Sequence, residues 1–76
     1  MMTYTTVESS MIDLVGYDEE TSTLEARFVN TGYTYRYKNV PKEEYEGLMK
    51  ASSKGSYFRE IIECYSGFKV KGGRRR

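Results

Sequence analysis

The sequence contains no histidine and no tryptophan, one proline, and one cysteine. Each absence excludes something. Without histidine the chain lacks the side chain that most often serves as general base near neutral pH and most often ligates metals. With Cys64 as its single cysteine no intrachain disulfide can form. A lone thiol fits a reducing compartment, so the expected location is the cytoplasm. Cys64 also has no neighbouring base in sequence, and reads as a packing residue of a helix rather than a nucleophile. No apolar run approaches the roughly 20 residues of a membrane span. Met1-Met2-Thr3-Tyr4 lacks the basic stretch and apolar run of a signal peptide. The acidic clusters Asp18-Glu19-Glu20 and Glu43-Glu44-Glu46 lack the ligand spacing of a calcium loop. No catalytic group, metal or cofactor is therefore expected, and the functional question becomes one of binding.

What the chain does have is tyrosine and charge. Eight of its 76 residues are Tyr. The formal net charge of +1 conceals an asymmetry: residues 1–67 hold 7 basic and 11 acidic side chains, while Lys69, Lys71 and Arg74–Arg76 close the chain without an acid. A mildly acidic body thus carries a basic end, and Gly72-Gly73 within it predicts a flexible tail over 72–76. A chain this short is one domain, and buries only roughly 60% of its unfolded surface, so little material is spare for a core.

The hydrophobic pattern changes period once. Residues 1–8 show no period and read as a loose lead-in. Met11–Tyr17 alternates, with Ile12, Leu14 and Gly16 on one face and Val15 and Tyr17 on the other. Asp18–Ser22 breaks the pattern as a turn does. Thr23–Val29 resumes it, with Leu24, Ala26 and Phe28 against Glu25 and Arg27. Asn30-Thr31-Gly32 reads as a hairpin loop. Tyr33, Tyr35 and Tyr37 then alternate with Thr34, Arg36 and Lys38. After Val40-Pro41 the period becomes helical: Tyr45, Leu48, Met49 and Ser52 form one stripe, and Phe58, Ile61, Ile62 and Tyr65 another. Pro41 suits a helix start, and Ser56 is the expected cap of the second helix, Tyr57–Tyr65. Phe68–Lys71 is a short edge strand at most. The expected fold is α+β, a three-stranded antiparallel meander followed by two helices on one sheet face, occupying residues 9–71.

Read in order, these residues resemble the KTSC domain, a short bacterial and phage module also found at the C-terminus of some lysyl-tRNA synthetases. The resemblance rests on Ser9-Ser10, Gly16-Tyr17-Asp18, Thr23-Leu24, Phe28, Gly32, Tyr35-Arg36-Tyr37 and Val40-Pro41. It continues through Tyr45, Leu48, Ala51, Ser53, Gly55-Ser56-Tyr57-Phe58, Ile62 and Tyr65. It spans about residues 7–71. The family commonly carries asparagine after the Tyr-Phe pair, where this chain has Arg59. The resemblance implies a stand-alone binding module, with RNA as its suggested ligand.

The residues themselves offer two binding surfaces. If Tyr33, Tyr35 and Tyr37 pack under the helices, the opposite sheet face presents Arg27, Arg36 and Lys38, with Tyr17 beside them to stack on a base. Ser53, Gly55 and Ser56 at the second helix start, with Lys54 and Arg59, form an anion site. Both fit RNA or another phosphate-bearing nucleic acid. Two alternatives stand beside that reading. One is a self-associating, homo-oligomeric module that uses Val15, Tyr17 and Val29 or the edge strand. The other is a phage-type sponge that holds a signalling nucleotide between subunits.

Overall fold

The computed structural model describes residues 1–71; the predicted basic tail, 72–76, lies outside them. Five strands form one antiparallel sheet in simple order: β1 (Thr3–Thr6), β2 (Ile12–Asp18), β3 (Thr23–Phe28), β4 (Thr34–Tyr37) and β5 (Gly67–Lys71). Two helices, α1 (Lys42–Lys50) and α2 (Lys54–Cys64), lie between β4 and β5 in sequence. The α+β class is as expected. The three-stranded meander is not: the lead-in supplies β1, and the C-terminal segment supplies β5. β1 escaped the pattern search because its residues, Thr3-Tyr4-Thr5-Thr6, contain no apolar alternation and are mostly exposed.

The core lies between the helices and one sheet face. Leu24 and Ala26 of β3 and Tyr37 of β4 meet Leu48 of α1 and Phe58 and Ile61 of α2, all essentially buried. Phe58 is the centre of this layer, and meets the rings of Phe28 and Tyr37 edge-on at 5.8 and 5.4 Å. Edge-to-face packing aligns the positive rim of one ring with the negative face of the other. Tyr35 packs at the margin against Phe28. Tyr33 falls outside β4, and the Lys69 ammonium sits 4.1 Å from its ring centre.

β2 does not keep the alternation read from its sequence. Ile12 pairs with Phe28, but Leu14 pairs with Arg27, so one extra residue, Asp13, stands in the strand. A bulge of this kind exchanges the faces of everything beyond it. Val15 and Tyr17 therefore turn into the core, while Leu14 and Gly16 turn to the open face. Tyr17 is buried, stacks on Tyr45 at 4.6 Å, and donates its hydroxyl to the Val40 carbonyl at 2.6 Å. That bond ties the start of α1 to the sheet. A self-association patch built on Val15 and Tyr17 is excluded by the same burial.

The helices differ from expectation at their ends. Pro41 sits at the N-cap of α1 with extended ψ, and the helix begins one residue later. The cap of α2 is Ser53, not Ser56: the Ser53 hydroxyl accepts the Ser56 N–H, and the helix starts at Lys54. Cys64 is exposed rather than packed. Gly32 takes φ 76° in the β3–β4 loop, the left-handed region that glycine enters without steric cost.

Candidate functional site

The sheet face turned away from the helices carries one continuous cross-strand row. Tyr4 pairs with Gly16, Gly16 with Glu25, Glu25 with Arg36, and Arg36 with Phe68. Paired residues of an antiparallel sheet point to the same side, so this row crosses all five strands, a span of about 19 Å at the usual strand spacing. Gly16 is what lets it close. A Cβ at Gly16 would stand 2.6 Å from Cε1 of Tyr4, so the Tyr4 ring lies flat over the glycine. From there its hydroxyl donates to Glu25 Oε1 at 2.9 Å. That bond is the first reason the Tyr4 phenol is held above its ordinary pKa, with burial adding to it.

Glu25 is a carboxylate in the middle of a sheet, 2% exposed. A buried charge needs a partner and full hydrogen bonding. Arg36 supplies both, through Nε at 2.8 Å and a second guanidinium nitrogen at 2.6 Å. The two-point grip fixes the guanidinium plane. Lys38, two residues along the same face, places its ammonium 5.8 Å from the centre of the Phe68 ring. Tyr4 and Phe68 are 47% and 45% exposed, and the Arg36 side chain 40%. Three flat groups in fixed positions therefore present outward. A shallow basin of 390 Å³ adjoins the row, lined by Tyr4, Arg36, Lys38, Thr21, Thr23 and Asp18, with Met2 at its rim.

Arg27, Arg36 and Lys38 all lie on this face as expected, but two of them are committed. Arg27 donates to Asp13 at 2.8 Å, and both side chains are exposed, so that pair cancels at the surface. Arg36 is matched by Glu25 from beneath, which leaves the cation outermost. Tyr17 is absent from the face. Tyr4 and Phe68 take the place expected of it, and only the strand register could have revealed them.

The second site is a pocket of 280 Å³ between the β1–β2 loop and the first turn of α2. Ser9, Ser10, Ser52, Ser53 and Ser56 line it, with Lys54, Gly55, Arg59, Met11 and Glu8. The loop packs against Gly55, where a Cβ would meet Ser9 Oγ and Met11 Cβ at 3.4 Å, an ordinary contact distance. Ser9 Oγ accepts the Met11 N–H at 3.1 Å, and the Lys54 ammonium turns back onto the Ala51 carbonyl at 3.1 Å. Sequence reasoning placed Ser53, Gly55, Ser56, Lys54 and Arg59 here, but not the loop from the other end of the chain. The two sites share no lining residue. Among the described residues no group of three His, Cys, Asp or Glu side chains gathers as a metal site, and no helix is long and apolar enough to cross a membrane.

An antiparallel α+β fold of this order and size has clear relatives. The family model of the KTSC domain matches residues 8–65, and the chain belongs to that family. It is 37% identical over 57 residues to an uncharacterized protein of Stutzerimonas stutzeri, covering 75% of this chain and 79% of that protein. A protein of Tsukamurella paurometabola is 40% identical over 57 residues, covering 75% and 84%. The crystal structure of a KTSC domain protein from Yersinia pestis superposes with a TM-score of 0.86 at 35% identity, over 93% of this chain and all of that one.

Proposed function

We propose that this protein is a small non-catalytic module that binds single-stranded nucleic acid, RNA in particular, on the open face of its sheet. The observation that carries the reading is the row of Tyr4, Arg36 and Phe68. Bases stack on aromatic rings and on guanidinium planes irrespective of sequence, and each such contact contributes about 1–3 kcal/mol. Here two of the platforms are already held in place, Tyr4 by Gly16 and Glu25 and Arg36 by Glu25, and the Lys38 ammonium lies 5.8 Å from the centre of the third, Phe68. Pre-ordering removes the entropy cost that a mobile side chain brings to binding. Lys38 beside the row supplies a phosphate contact, and the outward charge of Arg36 favours an anionic strand.

A second reading concerns the serine-lined pocket. The first turn of α2 leaves the N–H groups of Lys54 and Gly55 without helical acceptors. Five serines, Lys54 and Arg59 surround them. At 280 Å³ the pocket has room for a phosphate group and the small moiety that carries it, so it favours a phosphate-bearing ligand such as a nucleotide.

The test is fluorescence anisotropy with a labelled single-stranded RNA at several salt concentrations. Binding should weaken with salt, with a shallow slope set by two or three phosphate contacts. The double variant Tyr4→Ala, Phe68→Ala should bind at least about tenfold more weakly. No binding at low salt, or equal binding by the double variant, overturns the sheet-face reading. Loss confined to a Lys54→Ala, Arg59→Ala variant moves the ligand to the pocket.

A further inference from the structure

The two edges of the sheet are guarded very differently. Natural edge strands avoid unwanted pairing with charges, prolines, bulges or brevity. β5 has two such devices: Lys69 and an irregular register against β4. β1 has no charge, no proline and an uninterrupted register against β2, and Val7 extends its pairing by donating to the Asp13 carbonyl at 3.2 Å. Among the described residues β1 ends the strand order, and no described strand pairs with the outer backbone groups of Thr3–Thr6. Brevity, at four residues, is its one guard; an edge otherwise this plain, in a sheet that protects its other edge, is a pairing surface.

We infer that β1 is a self-association edge, which pairs antiparallel with β1 of a second copy of this chain. The choice of occupant follows from composition. Thr3-Tyr4-Thr5-Thr6 is its own complement, since Thr against Thr and Tyr against Thr are favourable cross-strand neighbours. Two-fold symmetry then limits the register. The helix layers of both copies stay on one side only if odd positions face odd and even face even. Centring the axis on Thr5 sets Thr5 against Thr5, Tyr4 against Thr6 and Thr3 against Val7. The sheet then runs through ten strands, and the two Tyr4 rings end the two cross-strand rows at the shared seam. The edge is short, so association is weak. This inference rests on the edge alone and stands whether or not the open face binds nucleic acid.

Sedimentation velocity and amide NMR of the unmodified chain over a concentration series up to about 1 mM, the range for so small an interface, provide the test. A dimer should grow with concentration, and the concentration-dependent shifts should fall on residues 3–7. The variant Thr3→Lys, Thr5→Lys, which places charges on exposed and half-buried positions of the edge, should stay monomeric with an unchanged melting temperature at low concentration. A chain that is monomeric throughout, shifts that fall on β5 or the helices, or an unaltered dimer in the variant each overturn the inference.

Discussion

Arg36 grips Glu25 at two points, 2.8 and 2.6 Å, and Glu25 is 2% exposed in a sheet face that no helix covers. The face is therefore not bare. Its own long side chains lie down on it: Tyr4 over Gly16, and Arg36 over Glu25. This accounts for the burial of Glu25 on the side away from the core.

Removing Arg36 should reveal how strongly that cover is held. Arg36→Ala leaves the Glu25 carboxylate with only the Tyr4 hydroxyl as partner. A buried charge without its counter-ion is costly, several kcal/mol where both partners are deep. Arg36 is itself partly exposed, so the expected loss is smaller, about 2 kcal/mol. Urea unfolding measures it. Replacing both residues, Arg36→Ala with Glu25→Met, should recover most of the loss, because an apolar side chain in the same place needs no partner. A single-variant loss no larger than that of an ordinary surface pair would mean that water takes Arg36's place.

Gly16→Ala should act against the usual expectation. Glycine inside a strand ordinarily weakens it, and alanine should gain roughly 0.5–1 kcal/mol. Here the new methyl occupies the place of the Tyr4 ring. The ring swings off, and its bond to Glu25 is lost. Stability should fall by about 1 kcal/mol, and the Tyr4 ring resonances should move toward those of a solvated tyrosine. If the proposed function holds, RNA affinity falls with them. A stabilised Gly16→Ala variant with an unmoved Tyr4 would contradict the flat-ring geometry.

Much of this architecture was legible from period alone. The helices were legible because Tyr45, Leu48 and Met49, and Phe58 and Ile61, recur at helical spacing. β3 was legible because Leu24, Ala26 and Phe28 alternate cleanly with Glu25 and Arg27. Three features were not. The extra residue at Asp13 leaves no mark in a segment where both faces carry apolar residues, yet it moved Tyr17 from the expected surface into the core. β1 is strand-prone in composition, all Thr and Tyr, but it carries no apolar period, and its place is set by pairing with β2. The cap of α2 lay within a run of serines, of which Ser53 rather than Ser56 stands before the helix and accepts the Ser56 N–H. The first two are long-range effects, and the candidate face depends on them. Arg36 and Lys38 were placed correctly because β4 has no bulge between Tyr35 and Tyr37; Tyr4 and Phe68 became neighbours of that row only through pairing across five strands.

The buried tyrosines make the fold sensitive to alkali. Tyr37 is 4% exposed, and burial, with Tyr35 nearby as a lesser cause, raises its phenol to about 12. Burial also pushes up Tyr17. A phenol is neutral when protonated, so a raised value in the folded state means that the folded chain resists ionisation more than the unfolded chain does. The contribution of Tyr37 is complete below the unfolded value near pH 10 and is lost as pH rises toward about 12. The full difference corresponds to at most about 2–3 kcal/mol. Lysines titrate in the same window, and the Lys42–Glu19 pair weakens there as well, so the whole-protein curve alone does not isolate the tyrosine. Tyr37→Phe does. Melting temperatures should fall steeply in the parent between pH 9 and pH 11.5, roughly the window those values define, and distinctly less in Tyr37→Phe. Parallel curves for the two proteins would show that Tyr37 ionises without unfolding the core, and that the space between Phe58 and the sheet admits water.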